Sequence, residues 1–231
     1  MKNILFVLLV LMAHTTSAQD NTTLQKHFEA YYQQMRAQGD INGVINAMTH
    51  LNILSPSEER KDTLAYLYLN NNQHLQALNT IGFETNASDS DMAVNIKALS
   101  LKSLNQPKRA LEQFEILFSR QPTAYIAYEL ADLKIQTGDN EGASADIEYG
   151  ISNATDEMKH AFYERQQPYE VSLKAAFYHL KGLVQYNMNK DNIDMAIATI
   201  DEALAIDPGF NLASLSKQAL ETRKNEEGQE K

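Results

Sequence analysis

The stretch Asp194-Met-Ala-Ile-Ala-Thr-Ile-Asp-Glu-Ala-Leu-Ala-Ile-Asp-Pro-Gly-Phe210 reads as one helix with a coded stop. Ala196, Ile200, Ala203 and Leu204 recur at three- and four-residue steps, which lays small and apolar side chains along one face. Pro208 then forbids continuation, because it has no backbone N–H to give to the preceding turn. Such a helix must bury its stripe against a neighbour, and the rest of the chain supplies one by repetition.

From Ala143, backward steps of 33 residues land on Ala110, Ala77 and Val44. Four positions beyond each small residue stands a large apolar one: Met48, Ile81, Phe114, Ile147 and, in the last copy, Ile200. Twelve positions beyond come Pro56, Asp89, Pro122, Thr155 and Pro208, so three of five copies keep the helix-ending proline. Before each small residue lies a turn: Gly39-Asp40, Asn72-Gln73, Asn105-Gln106 and Gly138-Asp139. Gly and Asn tolerate the left-handed conformation that a helix C-terminus needs, so turn chemistry and period agree. Glycine and proline are otherwise sparse, and no segment alternates apolar and polar residues for long, which predicts a helical chain.

This pattern resembles the tetratricopeptide repeat (TPR), a pair of antiparallel helices in which the small residue lets the two helices approach closely. In Ala124-Tyr-Ile-Ala-Tyr-Glu-Leu-Ala131, Leu130 and Ala131 stand where the family carries Leu-Gly, whereas Phe28, Lys61, Val94 and Ala127 replace its usual Trp. The repeats are therefore divergent. The resemblance implies an all-α fold, a right-handed superhelical solenoid of antiparallel helix pairs, with repeats at 25–57, 58–90, 91–123, 124–157 and 175–210. Residues 83–91 read as loop, and Gly182 is the expected small residue of the last repeat's first helix. Its inter-helix turn, Asn189 to Asp194, carries two extra residues.

The step from Ala143 to Ala196 is 53 residues, about twenty more than one repeat, so residues 158–174 are expected outside the regular stack. Insertions in repeat proteins emerge as loops on one face, often the binding face. After Pro208, Leu212, Leu215, Ala219 and Leu220 make one stripe, which predicts a capping helix over 211–223 and a charged tail over 224–231.

Residues 1–18 combine Lys2, an apolar run from Ile4 to Ala13 and Thr16-Ser17-Ala18, the order of a secretory signal peptide cleaved after Ala18. The apolar run is half of what a bilayer span needs. The expectation is an exported protein, periplasmic or extracellular, with a bacterial envelope favoured by the short one-lysine start. No cysteine is present, which excludes disulfides and thiolate metal sites. Without the signal, 19 Lys and Arg face 30 Asp and Glu, a formal charge of −11 that repels nucleic acid and anionic lipid.

No constellation of residues announces chemistry. His27, His50, His74, His160 and His179 lack an i+4 partner or carboxylates at metal-ligand spacing, and Asp89-Ser-Asp91 and Asp191-Asn-Ile-Asp194 lack the form of a calcium loop. Phosphate loops and nucleophile elbows are missing too. The sequence reads as non-enzymatic, with no cofactor and no metal. Asn21, Asn86 and Asn153 open Asn-x-Ser/Thr sequons that matter only on a eukaryotic secretory path.

What the family resemblance implies for binding is a concave surface built from each repeat's first helix. By register it runs through Lys26, Glu29, Gln33 and Arg36, then Glu59, Asp62, Tyr66 and Leu69, then Met92, Asn95, Leu99 and Lys102. Tyr125, Tyr128, Asp132 and Ile135 follow, and His179, Leu183 and Tyr186 close it. The expected partner-binding set is Tyr66, Leu69, Asn95, Leu99, Lys102, Tyr125, Tyr128, Asp132, His179 and Tyr186, an aromatic and apolar centre of the kind that holds a protein or peptide. The Lys/Asn clamp by which some family members hold chaperone tails is missing, since its positions carry Glu29, Gln33, Asp62, Tyr66, Asn95 and Leu99. The expected function is thus a protein-interaction scaffold of the envelope. Alternatives are self-association through residues 158–174 and, less favoured, a small-molecule or glycan site in a polar pocket beneath them.

Overall fold

The computed structural model describes residues 21–229, with side chains to residue 226. The expected signal peptide, residues 1–18, lies outside the described residues. Eleven α-helices, one 3-10 turn and one two-stranded hairpin occur among them, in antiparallel helix pairs. The fold is an all-α helical solenoid with one β insertion.

The chain forms two compact units that divide between Asn105 and Gln106. In the first, α1 (21–38), α2 (Ile41–Leu54), α3 (Glu58–Asn70), α4 (His74–Ile81) and α5 (Asp91–Ser103) follow one another. The second holds α6 (Pro107–Arg120), α7 (Ala124–Thr137), α8 (Asn140–Asn153), β1 (Lys159–Phe162), β2 (Tyr169–Ser172), α9 (Leu173–Met188), α10 (Ile193–Ile206) and α11 (Asn211–Gln229).

Local chemistry sets the boundaries. Gly39, Asn72, Asn105 and Gly138 all have positive φ, at 71°, 56°, 55° and 88°, and each turns the chain out of one helix toward the next. At the following N-termini, Asp40 accepts from the Gly43 N–H at 3.0 Å and Asp139 from Gly142 at 2.9 Å. Ser57, Ser90 and Thr123 cap α3, α5 and α7 in the same way. The helix of the opening stretch, α10, ends at Ile206, two residues before Pro208.

In the first unit, Ile45, Met48, Leu51 and Leu64 form one apolar cluster under Phe28 and Tyr32. Ala65, Ala77 and Ile96 bind α3, α4 and α5 together. The loop after α4 is tied down from below. Lys97, 1% exposed, donates to Asp89 at 2.5 Å and to the Glu84 carbonyl at 2.7 Å.

The second unit is held by close approach. Ala110, Ala143, Ala196 and Ala203 are fully buried, and a Cβ added to Gly182 would meet Ile200 Cγ1 at 2.6 Å and the Ala196 carbonyl at 3.0 Å. Only hydrogen lets α9 sit that close to α10. The longer turn between them is a 3-10 turn, Lys190–Asn192.

Two expectations about segments give way to the structure. Residues 158–174 do not leave the body as a loop; they fold into the β1–β2 hairpin, with Lys159 opposite Ser172 and Phe162 opposite Tyr169. Phe162 is 8% and Val171 1% exposed, inside the same core as Phe177, Ile200 and Phe210. The C-terminal segment does not stop at residue 223 either, since α11 continues to Gln229. No proline or glycine interrupts residues 211–227, so the helix extends through the charged residues.

Candidate partner-binding site

Alternation in the strands decides what the hairpin touches. His160, Phe162, Tyr169 and Val171 share one face, because the ladder pairs His160 with Val171 and Phe162 with Tyr169. That face is turned inward. The His160 ring lies 4.1 Å from that of Tyr128, and the Phe162 ring 4.8 Å from that of Phe210. Tyr128 in turn meets Phe177 edge to face at 5.6 Å. The hairpin thus joins the start of α7, the start of α9 and the start of α11 through one run of rings.

Polar contacts fasten its ends. The Ser172 N–H donates to the Asp207 carboxylate at 3.0 Å, and the Leu173 N–H to the Met158 carbonyl at 2.9 Å. Tyr169 donates its hydroxyl proton to Glu164 and accepts the Leu212 N–H at 3.2 Å, while Asn211 donates to Glu164 at 3.2 Å. Burial first, and then the Glu164 carboxylate, push the Tyr169 hydroxyl up to about 12. The slight burial of Glu164 works against its ionisation, but hydrogen bonds from Tyr169, its own backbone and Asn211 hold it below the usual range.

The residues expected to form one surface fall into three situations. Tyr128 and His179 are 4% and 2% exposed, so neither offers area to a partner. The hairpin and α11 cover them. The Tyr128 hydroxyl is raised well above its usual value by burial, with Asp132 and Glu129 adding to the effect. Burial lowers His179 to about 4; its Nε2 sits 2.9 Å from Ser216 Oγ, and its buried Nδ1 has no partner. Half-buried are Leu69, which packs on the Ala65 cluster, Leu99, Lys102, Asp132, which accepts from Gln136 at 2.9 Å, and Tyr186, under the Arg223 guanidinium at 5.7 Å.

Exposed are Tyr66 and Tyr125, 46% each, and Asn95. In the first unit Tyr66 follows buried Leu64 and Ala65 on α3, and Asn95 stands between buried Val94 and Ile96 on α5. Both side chains therefore point away from the core between these packed helices. Met92, one turn before Asn95 and Ile96, is 48% exposed. In the second unit Tyr125 is the exposed residue at the head of α7, and Tyr163 at the hairpin tip is 74% exposed. The sequence reading did not single out Tyr163, nor the inward set His160, Phe162, Tyr169 and Val171; the alternation that marks them lasts only four residues per strand.

The space beneath the hairpin is filled by aromatic rings rather than by a polar pocket. A polar cleft of about 410 Å³ lies elsewhere, between the start of α3 and the loop before α5, lined by Glu58, Asp62, Asn86, Ser88 and Asp89. Among the described residues no group of three His, Cys, Asp or Glu is placed to hold a metal ion, and no helix is long and apolar enough to cross a membrane.

No family model matches the chain, and no curated protein does. Solved structures do. YrrB, described as a TPR protein with an unusual peptide-binding site, superposes with a TM-score of 0.66 at 13% identity, over 88% of this chain and 97% of that one. A MamA structure gives 0.60 at 17% identity, over 80% and 92%. MamA residues 41 to the end from Desulfovibrio magneticus RS-1 give 0.60 at 13% identity, over 81% and 97%. This chain has the tetratricopeptide-repeat fold. In the second unit the chain's own hairpin covers Tyr128 on α7.

Proposed function

We propose that the protein is a non-enzymatic interaction scaffold of the cell envelope that holds a peptide or protein partner on the inner face of its first unit. One observation carries the reading. On α3 and α5, Tyr66, Met92 and Asn95 stand exposed beside buried Leu64, Ala65, Val94 and Ile96, whereas Tyr128 and His179 are covered from within the chain. A large aromatic, a thioether and an amide on rigid helices make a surface with few torsions to freeze, so binding costs little ordering entropy. Leu69, Leu99 and Lys102 form its half-buried margin, and Tyr125 on the second unit is a separate contact. The order of charged, apolar and small residues over 1–18 supports export to the envelope.

The test is a pair of variants used as bait in envelope extracts of the source cell. Tyr66→Ala with Asn95→Ala is expected to lower capture of the wild-type partner at least tenfold at an unchanged melting temperature. Capture that survives this change but is lost on removing the hairpin tip residue Tyr163 would move the site to the second unit. A concentration-dependent mass with no captured partner would favour the self-associating alternative.

A further inference from the structure

α11 packs along α10, burying Ala213 and Leu220, and is hydrogen-bonded to α9 through one histidine. His179, on α9, is 2% exposed and places Nε2 2.9 Å from Ser216 Oγ of α11, with its ring edge-on to Phe210 at 5.2 Å. Its Nδ1 is buried and has no hydrogen-bond partner. A neutral imidazole tolerates this site, with one nitrogen satisfied and the other in apolar surroundings. An imidazolium does not, because it would bury a second N–H donor with nothing to receive it.

The surrounding charges give a protonated ring no direct partner. From the hairpin, Glu164 acts on it, but that carboxylate is already engaged with the Tyr169 hydroxyl and Asn211. Arg165 of the same loop lies over the Tyr169 ring. From α11, Lys217 pairs with Asp201 of α10 at 2.7 Å and with Glu221 at 3.7 Å, and Lys224 pairs with Asp194 of α10. Asp207, after α10, is engaged with the Ser172 N–H. On α9 itself, Lys181 lies over Tyr178 and Tyr186 lies under Arg223.

We infer that His179 is an acid-sensitive latch for the C-terminal helix: as a neutral ring it holds α11 against α9, and on protonation it releases α11 and, with it, the hairpin loop pinned to Asn211 and Leu212. Release exposes Phe210, Ala213 and Leu220, which are 0%, 0% and 6% exposed in the closed state. The latch is separate from the face proposed for partner capture in the first unit. Burial holds the ring at about 4 in the closed state against an ordinary value of 6.5. Closure therefore keeps its full advantage above pH 6.5 and loses it as pH falls toward 4, by about 300-fold at the limit.

Hydrogen exchange of the full chain at pH 7.5 and 4.5, corrected for intrinsic exchange, tests this. Amides of residues 211–229 are expected to lose about 70-fold protection in acid, with α7 and α8 changing much less. His179→Gln, which keeps a polar group near Ser216 but takes no proton, is expected to abolish that loss. Ser216→Ala lowers protection at both pH values and retains the acid-dependent loss, which keeps the test available where His179→Gln does not fold. The inference is overturned by an equal acid loss in His179→Gln, by a loss shared equally with α7 and α8, by no loss in the wild type, or by a pH-independent Ser216→Ala chain.

Discussion

Gly150→Ala is a substitution for which ordinary helix energetics and this structure predict opposite signs. In an exposed helix interior the change stabilises by about 1 kcal/mol, because alanine loses less backbone entropy than glycine. Gly150 is instead a buried residue of α8, and a Cβ there would stand 1.9 Å from Cζ of Phe177, 2.2 Å from Cε1 and 2.4 Å from Cε2. To reach ordinary contact the ring must retreat by about 1.5 Å. It has little room to do so, since Phe177 is fully buried and its ring lies 5.6 Å from that of Tyr128. Overpacking costs about 1–3 kcal/mol and an approach of 1.9 Å falls at the upper end, so after the helix gain of about 1 kcal/mol is subtracted the net loss is about 2 kcal/mol. Urea unfolding followed by circular dichroism measures it, as a lower midpoint at unchanged slope. In a double-mutant cycle Phe177→Leu, which removes the clashing ring atoms, should make the Gly150→Ala penalty much smaller. Stabilisation by Gly150→Ala alone, or an equal cost in both backgrounds, would refute the packing of the hairpin-bearing core described above.

Tyr128→Ala is expected to cost about 3–5 kcal/mol in the same assay because the ring is core, while Tyr125→Ala, three residues earlier and exposed, stays within about 0.5 kcal/mol. Equal effects would mean that the hairpin does not cover α7. Lys97→Met removes the ammonium that ties Asp89 and the Glu84 carbonyl, with a loss of about 3 kcal/mol and faster subtilisin cleavage within residues 82–90. Unaltered cleavage there would show that the loop is held by something else.

The helical architecture was legible because two independent signals agree. Ala77, Ala110 and Ala143 repeat at 33 residues, and the turn residues Asn72, Asn105 and Gly138 repeat in step with them. Each kind of residue answers to a short-range cause, close helix approach in one case and positive φ in the other, so neither depends on the rest of the fold. The hairpin was not legible for the opposite reason. His160, Phe162, Tyr169 and Val171 alternate over only four residues per strand, too short a run to stand out from a loop, and their partners Tyr128 and Phe210 are distant in sequence. The same gap explains the inner-face residues. Register alone gives Tyr66, Tyr125 and Tyr128 the same standing, and only the fold of the intervening segment separates the exposed rings from the buried one. Lys97 is a further case, since a lysine on a helix reads as solvated until the loop that returns over it is known.

A scaffold of the proposed kind must hold its partner on the inner face of the first unit. Photo-crosslinking from single benzoylphenylalanine substitutions in the source cell tests this directly, comparing position 66 with position 53. Ile53 on α2 is 69% exposed and is not among the inner-face positions, so it reports chance encounters. The expected result is a discrete crosslinked adduct from position 66 that disappears when Asn95 is changed to alanine, and none from position 53. Adducts of equal yield from both positions, or an adduct at 66 indifferent to Asn95, would contradict that placement.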